Sequence, residues 1–579
     1  MDASSSTASS PQDVAAMETR LTGADGAKHL NEMRQLFALC EAPDLNVVAE
    51  ALQAIRRVLT HHRASPAGKK AEIAQFLDRH QDAYHSTLQQ LCSLGSARAQ
   101  VLSLRLMLAS AQQDSLEMPA PSRQEASSLQ QALDRFVASL LTARTMHDAT
   151  LDCLIREYAE PYVDVRYNLL CSLRSFLVKV AAMEFVEKDG AAAPERDAKK
   201  RKLDSAFEKA LQESTLSGED AFVRSLLLLQ RVPEPAAGVA AAAGGDADDP
   251  GMSAPVFVAL SGKPSSFFVK FARKSFQDAW LQLLGLRVPT ARYKPLLQLL
   301  PSHVMPHMTQ PLLLADFYLK AFGSGSAEVA VLSLSGLFLL LTKHAMGDPE
   351  TLSSSCGEFY GQLYSLLKPE TFRLAKRARF QRLAAASLAS GLLPARFAAA
   401  FAKRCMRTAL SCSDPGTVMW LMAVAYSLIQ RHHSLCKYLL HKPKEEQQPR
   451  GGEQAEAAVF EDTDDLKLAV KQVAETSLWE VLLLTRHHVP AVALLARLFL
   501  KPFFKPSAKK LDPDVFLDQR AEKLCAQAHK ASKRQVSKLK ARGERVPVAF
   551  TVEDDVAANK VAGWAAALST SQRRIGAGI

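Results

Sequence analysis

The chain has 579 residues, and this length excludes a single compact core, since such cores stop growing at about 250–300 residues. The hydrophobic fraction of 48%, dominated by Leu and Ala, is sufficient for a buried interior and favours helices. The net charge of +11 bears on partners rather than on fold, and it favours nucleic acid, ribosomal precursors or acidic proteins as those partners.

The first half of the chain divides by composition into three parts. Residues 1–30 are polar and rich in Ser, Ala and Gly, and they lack the apolar stretch of a secretory signal, so we predict a disordered leader. Apolar residues then recur at helical spacing, which predicts a helical repeat domain over residues 31–186. Residues 187–265 carry a basic cluster and a stretch rich in Ala, Gly and Pro, which predicts a linker, although residues 203–231 remain compatible with a helix.

The second half is predicted to contain another helical domain and a basic extension. Residues 266–500 show repeated helical patterns, interrupted by a polar insertion at residues 442–462. Their most apolar run, residues 329–341, is shorter than the roughly 18–20 residues that a bilayer crossing needs, so we interpret it as a buried core helix. Residues 501–579 form the extension, with thirteen Lys and Arg against five Asp and Glu between residues 501 and 545.

These patterns predict an all-α fold. Each amphipathic helix has one apolar stripe and needs a neighbour to bury it, and stacked helix pairs meet this need. We therefore predict a helical-repeat solenoid of the HEAT or armadillo kind in two units, with a disordered leader, a linker and a basic tail. A plain helical bundle is the alternative, because no repeated motif is visible.

Signatures of catalysis, cofactors and metals are lacking. There is no phosphate-binding Gly-x-x-x-x-Gly-Lys-Ser/Thr loop, and residues 323–326 fit a turn between helices. His303 and His307 stand four apart, but Pro306 disturbs the helix that a metal site would need. The nine cysteines lack zinc-ribbon spacing and predict a reducing compartment. We expect no enzymatic activity, no cofactor and no small-molecule substrate.

Basic helix faces are the candidate binding sites. Arg373, Lys376 and Arg377 follow one another at i, i+3 and i+4, so a continuous helix would place them on one face. Further along, Arg396, Lys403 and Arg407 recur at i, i+7 and i+11. These faces predict docking to rRNA phosphates or to an acidic protein segment, whereas an ordinary solvated helix surface is the alternative.

Two other basic stretches are weaker candidates for functional segments. Lys199, Lys200, Arg201 and Lys202 form a candidate nuclear import signal, and such a four-residue match has a high false-positive rate. Residues 530–545 are interpreted as a basic extension that contacts RNA or preribosomal surfaces, with a disordered solubilising tail as the alternative.

Ordered sequence blocks in the second half resemble a known family. They lie at residues 293–322, 332–344, 359–410 and 477–492, and they include FYGQLYSLLKPETFRLAKRARFQRL, LPARFAAAFAKRCMRTAL and SLWEVLLLTRHHVPAV. Together they are similar to the CBF domain of the nucleolar complex proteins, a family of ribosome biogenesis factors. Residues 158–170, YAEPYVDVRYNLL, resemble the N-terminal half of the same family.

The resemblance implies an α-helical repeat protein of the nucleolus that lacks catalytic activity. It further implies pairing with a nucleolar protein 14-type partner, membership of the small-subunit processome, and a role in rRNA processing and in maturation and export of the 40S precursor. Contact with preribosomal RNA would be indirect or through the basic faces, and no membrane is involved. A general helical-repeat adaptor or transport scaffold is the alternative function, because a solenoid by itself does not define a function.

Overall fold

A computed structural model describes the chain in fourteen stretches. They are residues 11–23, 29–64, 71–117, 127–189, 217–235, 255–258, 265–343, 349–390, 393–432, 436–440, 463–473, 476–501, 511–517 and 519–543. These stretches are helical almost throughout and contain no β-strand, which confirms the predicted all-α fold. The basic cluster at residues 199–202 and the insertion at residues 442–462 lie outside them.

The described chain falls into two compact units, Met1–Cys356 and Gly357–Ile579. The α-helices up to residue 343 are α1 Pro11–Thr22, α2 Met33–Leu39, α3 Leu45–Ala64, α4 Ala71–Ser93, α5 Ala97–Glu117, α6 Ser128–Thr142, α7 Asp148–Asp152, α8 Val163–Asp189, α9 Gly218–Arg231, α10 Ser265–Gly285, α11 Tyr293–Leu299, α12 Ala315–Phe322 and α13 Ala327–Lys343. Short 3-10 or π-helical turns connect several of them, at Leu30–Glu32, Cys153–Ala159, Thr290–Arg292, Leu300–Val304, Met305–His307 and Pro311–Leu314.

The remaining helices follow from residue 349. They are α14 Pro349–Leu366, α15 Pro369–Phe372, α16 Arg377–Leu388, α17 Ala395–Ser411, α18 Pro415–Arg431, α19 Leu466–Val473, α20 Glu480–Leu484, α21 Pro490–Ala496 and α22 Ala521–Ala541. Short 3-10 turns lie at Lys437–Leu439, Arg497–Leu500 and Pro513–Phe516.

Helices in the first unit pack mainly on their neighbours in sequence. α5 packs on α4 and α6, α6 on α8, and α8 on α10. Each contact buries the apolar stripe that the sequence predicts, and Leu52, Ile55 and Leu59 of α3 are all buried. This arrangement fits the predicted solenoid, while its repeat character remains a prediction.

The first helix corrects the predicted disordered leader. α1 occupies residues that we assigned to the leader, and it packs on α3 with Val14 and Leu21 buried. His62 Nε2 lies 2.8 Å from the carbonyl oxygen of Leu21, and Arg57 pairs with Glu18 at 2.8 Å. The Ser-rich composition obscured Val14 and Leu21, which stand seven apart and therefore share one helix face.

The predicted linker contains folded structure. α9 begins after Ser217, whose hydroxyl accepts a hydrogen bond from the backbone N–H of Asp220 at 3.1 Å. Further on, the backbone N–H groups of Phe257 and Val258 donate to the Asp164 carboxylate at 2.8 and 3.0 Å. The boundary between the two compact units lies at residues 356 and 357, away from the predicted linker. The domain division at residues 187–265 therefore remains a prediction.

The second unit is built around α17 and α18, which pack extensively on each other. α19 and α20 then pack on α17, and α21 packs on both α18 and α20. Nearly all of α18 is buried, including Trp420, because neighbouring elements cover it on several sides. Within the described stretches, no helix has both the length and the apolarity needed to cross a membrane.

A buried histidine makes the stability of the first unit depend on pH. His85 on α4 is only 8% exposed, and burial, with smaller effects from the Arg135 and Arg63 charges, lowers its pKa to about 4. In the unfolded chain its pKa is close to 6.5, so unfolded molecules bind more protons between these two values. The stability contributed by neutral His85 is therefore present above about pH 6.5 and is lost as the pH falls towards 4.

We expect His85→Phe to reduce the acid sensitivity of the fold. Between pH 7 and pH 5, the wild-type chain should lose about 2 kcal/mol more unfolding free energy than the variant. Urea unfolding at the two pH values measures this difference. His529→Phe is the control because His529 is exposed. Equal losses in the wild type and in His85→Phe would contradict the assignment.

Candidate functional site

The first predicted basic face does not exist as a continuous helix surface. α15 ends at Phe372 and α16 begins at Arg377, so Arg373 and Lys376 lie in the intervening turn. The reason is aromatic packing, because the ring centroids of Phe372 and Phe380 are 5.6 Å apart. In a straight helix, eight residues would separate them by about 12 Å along the axis.

The three cations of this face have different surroundings. Arg373 and Lys376 are exposed, whereas Arg377 is half-buried and pairs with Asp414 at 3.0 Å. The same Asp414 carboxylate accepts a hydrogen bond from the Thr417 backbone N–H at 3.0 Å and so caps α18. Arg377 therefore has a structural partner, and only Arg373 and Lys376 are presented to solvent.

The second predicted face is wrong at its central residue. Arg396 is exposed and Arg407 is half-buried, but Lys403 is fully buried. The returning chain after the insertion covers α17 on the side that we expected to be solvated, with α19 and α20 both packed against it. We call the described part of this returning chain, residues 463–473 and 476–501, the covering segment.

Lys403 forms a buried ion pair with the covering segment. Its Nζ lies 2.7 Å from Oε1 of Glu480, and both side chains have 0% exposure. The same Nζ donates to the carbonyl oxygen of Ser477 at 2.6 Å and lies 5.4 Å from the ring centroid of Trp479. Burial lowers the pKa of Lys403, and the hydrogen bond and charge of Glu480 counteract that shift. The pair fixes α20 on α17.

Arg404, the next residue, fixes the beginning of the covering segment. Its guanidinium donates to the carbonyl oxygen of Leu367 at 3.1 Å and to Asp464 Oδ1 at 3.0 Å. Lys368 also pairs with Asp464, at 2.5 Å. The guanidinium carbon lies 5.3 Å from the ring centroid of Tyr364, a geometry that favours cation–π attraction. Two consecutive cations of α17 thus hold two points of the covering segment.

The outer side of the covering segment is apolar. Between residues 479 and 500, five large apolar side chains are exposed, and we call them the apolar ridge: Trp479 at 46%, Leu482 at 60%, Leu483 at 52%, Leu494 at 62% and Leu500 at 59%. They lie on or beside α20 and α21, which pack on each other. Single exposed apolar residues are ordinary, whereas such a group within 22 residues is a candidate interaction surface.

After its first residues, where Asp464 and Asp465 are exposed, the covering segment has only basic charges on the outside. Every exposed Lys, Arg, Asp or Glu that the structure describes between residues 466 and 501 is basic: Lys467, Lys471, Arg486, Arg497 and Lys501. The acid Glu480 is buried against Lys403. An apolar surface with basic neighbours is complementary to a partner segment that carries apolar and acidic side chains.

Sequence reasoning missed the apolar ridge, although one signal was present. Residues 479–484 are apolar on all sides except for Glu480, so a 3.6-residue period cannot place them on one buried face. A single acid within such a run needs a buried cation, and Lys403 is that cation. Recognising this requirement would have identified both the covered face of α17 and the exposed side of α20.

The buried ion pair and the candidate metal ligands have the following surroundings. The Lys403–Glu480 pair is closed to solvent, so it has no access to a substrate. In the described stretches, no cluster of three or more His, Cys, Asp or Glu residues has a metal-binding arrangement. His307 is 3.2 Å from Glu234, and His303 is exposed.

Comparison with known proteins places these features in a family. Residues 330–496 match the model of the CBF/Mak21 family. This part of the chain resembles a CBF/Mak21 domain. The domain includes Lys403, Glu480 and all of the apolar ridge except Leu500, and the match confirms the family resemblance predicted from the sequence.

Parts of the chain also align with individual proteins. It is 35% identical over 228 residues to the nucleolar complex protein 4 homolog of Rattus norvegicus, covering 39% of this chain and 40% of that protein. It is 35% identical over 246 residues to the homolog of Homo sapiens, covering 40% and 44%. These alignments span about two-fifths of the relatives' length. An uncharacterized protein of Schizosaccharomyces pombe is 26% identical over 515 residues, covering 86% of this chain and 91% of that protein.

Proposed function

We propose that this chain is a non-enzymatic nucleolar assembly factor for the small ribosomal subunit. It acts as a protein-binding scaffold in rRNA processing and in maturation and export of the 40S precursor. The apolar ridge is the observation that carries the proposal, because it exposes several large apolar side chains, most of them in the region that matches the CBF/Mak21 family. The relatives' name, nucleolar complex protein 4 homolog, supports the nucleolar location.

The proposed partners are a nucleolar protein 14-type protein and other small-subunit processome proteins. An amphipathic acidic helix of such a partner would bury its apolar side on Leu482 and Leu494 and place its carboxylates near the neighbouring cations. Arg373, Lys376 and Arg396 are exposed cations of the same unit and remain proposed contacts for protein or RNA. Arg377 and Lys403 have structural partners, so we exclude them from this surface.

The experiment is affinity purification of the tagged full chain from cells, comparing wild type with Leu482→Glu/Leu494→Glu. Both leucines are exposed, so the variant should keep its thermal stability. Each buried leucine contributes about 1.5–3 kcal/mol, so we expect recovery of small-subunit precursor rRNA and processome proteins to fall about tenfold or more. Quantitative mass spectrometry and hybridisation to precursor rRNA measure the recovery.

The matched control is Leu94→Glu/Leu313→Glu, which changes two exposed leucines of the first unit. It should recover as much precursor as the wild type. Full recovery with the ridge variant would reject the apolar ridge as the docking surface. Recovery of large-subunit precursors alone would reject the small-subunit assignment, and a cytoplasmic location without nucleolar signal would favour the adaptor alternative.

A further inference from the structure

The helix α22, Ala521–Ala541, is an exposed basic rod outside the CBF/Mak21 match. It has 21 residues, which corresponds to a length of about 31 Å, and Leu524 is its single buried residue. The helix contains six lysines and arginines against one acid, Glu522. Its helical structure corrects the alternative that residues 530–545 are only a disordered solubilising tail, at least as far as residue 541.

Four of these cations form a straight row. Lys523, Lys530, Arg534 and Lys538 stand at i, i+7, i+11 and i+15, so they lie within about 80° of one another around the helix axis. We call this row the cationic stripe. It extends along the axis for about 22 Å, and all four side chains are exposed. Lys533 and Lys540 lie on an adjacent row, also exposed.

The opposite side of α22 offers little to a protein or a membrane. It carries mostly small or weakly apolar residues: Cys525, Ala528, Ser532, Val536 and Leu539. The core of a protein interface is usually apolar and often aromatic, and a membrane-surface helix needs Trp, Phe or Leu on its apolar side. Charge is therefore the dominant feature of this helix.

Contacts with α18 and with Gly416 hold the N-terminal end of α22 in place. Pro513–Phe516 packs on α18, and the Ser427 hydroxyl donates to the carbonyl oxygen of Leu511 at 2.9 Å. Immediately before α22, the backbone of Gln519 passes so close to Gly416 that a Cβ there would lie 1.7 Å from its carbonyl oxygen. At the other end, Gly543 has a φ of 70°, which terminates the helix. The stripe is thus presented on a helix with defined ends and a fixed origin.

We propose that the cationic stripe binds the phosphate backbone of double-helical RNA, independently of sequence. A row of cations at fixed spacing on a rigid helix suits the regular phosphates of a duplex, and neutralising phosphates releases counterions. α22 carries no Phe, Tyr or Trp, and His529 is its one aromatic ring, so it lacks the series of large rings on which successive single-stranded bases stack. The proposal rests on α22 and is independent of the apolar ridge.

The test measures binding of the full chain to an RNA duplex of about 20 base pairs and arbitrary sequence, at several salt concentrations. The stripe variant is Lys523→Gln/Lys530→Gln/Arg534→Gln/Lys538→Gln, since glutamine preserves helix propensity. We expect its duplex affinity to fall about tenfold or more, and the slope of log affinity against log salt to become shallower by about 3 to 4. Circular dichroism should show an unchanged helix content.

The control removes the same charge elsewhere, as Arg98→Gln/Arg156→Gln/Arg273→Gln/Lys320→Gln at four exposed positions of the first unit. It should keep the wild-type affinity and slope. An unchanged slope in the stripe variant, or an equal loss in the control, would overturn the proposal. Tighter binding to single-stranded RNA of the same length, or to polyglutamate at equal charge concentration, would also overturn it and would favour a strand or an acidic protein instead.

Discussion

Replacing Glu480 with Leu is expected to lower the free energy of unfolding of the second unit by about 3–5 kcal/mol. The substitution leaves the Lys403 ammonium buried beside an apolar side chain, and an uncompensated buried charge is costly. Because the pair fixes α20 on α17, the covering segment should lose protection first. Urea unfolding measures the total effect, and hydrogen exchange of residues 476–501 measures the local one.

The double variant Lys403→Met/Glu480→Leu tests whether the two charges stabilise the fold as a pair. Removing both charges restores an apolar contact of similar volume, so most of the lost stability should return. The double-mutant cycle should therefore show an interaction energy of about 2 kcal/mol or more. If the double variant loses as much unfolding free energy as the two single variants combined, the two residues do not act as a pair.

Gly336→Ala is expected to lower the free energy of unfolding of the first unit by at least about 1–3 kcal/mol. Adding a methyl group to a densely packed core typically has a cost of this size. Gly336 lies on α13, and a Cβ at this position would lie 2.1 Å from the Tyr318 ring. That ring is fully buried on α12, so it cannot move aside without displacing its neighbours. Thermal unfolding followed by circular dichroism measures the loss.

Gly361→Ala is the matched control for this substitution. Gly361 also lies inside a helix, α14, but an added Cβ there meets no atom of another element in the described residues within 4 Å. Alanine has the higher helix propensity, so this variant should be stabilised by about 0.5–1 kcal/mol. A destabilised Gly361→Ala, or a neutral Gly336→Ala, would contradict the proposed close packing of α12 and α13.

The candidate site was only partly predictable. Ordered sequence blocks predicted the CBF-type domain, and the family match over residues 330–496 confirms it. The helical spacing of apolar residues in α17 agrees with the structure, since Phe401 and Cys405 stand four apart and are both buried. The same period placed Lys403 on an outer face, which is wrong, because periodicity cannot reveal that a distant segment returns to cover that face.

The basic residues also show that sequence spacing alone does not place side chains on a common surface. Spacing placed Arg373 and Arg377 together on one helix, but contact between Phe372 and Phe380 requires a turn between them. A charge count identified the excess of Lys and Arg after residue 501. Only the structure shows that four of those cations belong to one face of a continuous helix.

The sequence by itself determined the all-α fold, because Leu- and Ala-rich amphipathic patterns satisfy backbone hydrogen bonds locally and need only a neighbour to bury one stripe. It also determined the basic character of the C-terminal part, since charge is a property of composition. The tertiary structure decided which polar groups are buried, as with Lys403 and Glu480, and which apolar groups are left outside, as with Leu482 and Leu494. These choices depend on contacts between residues about 80 positions apart, and such contacts leave no periodic trace in either segment.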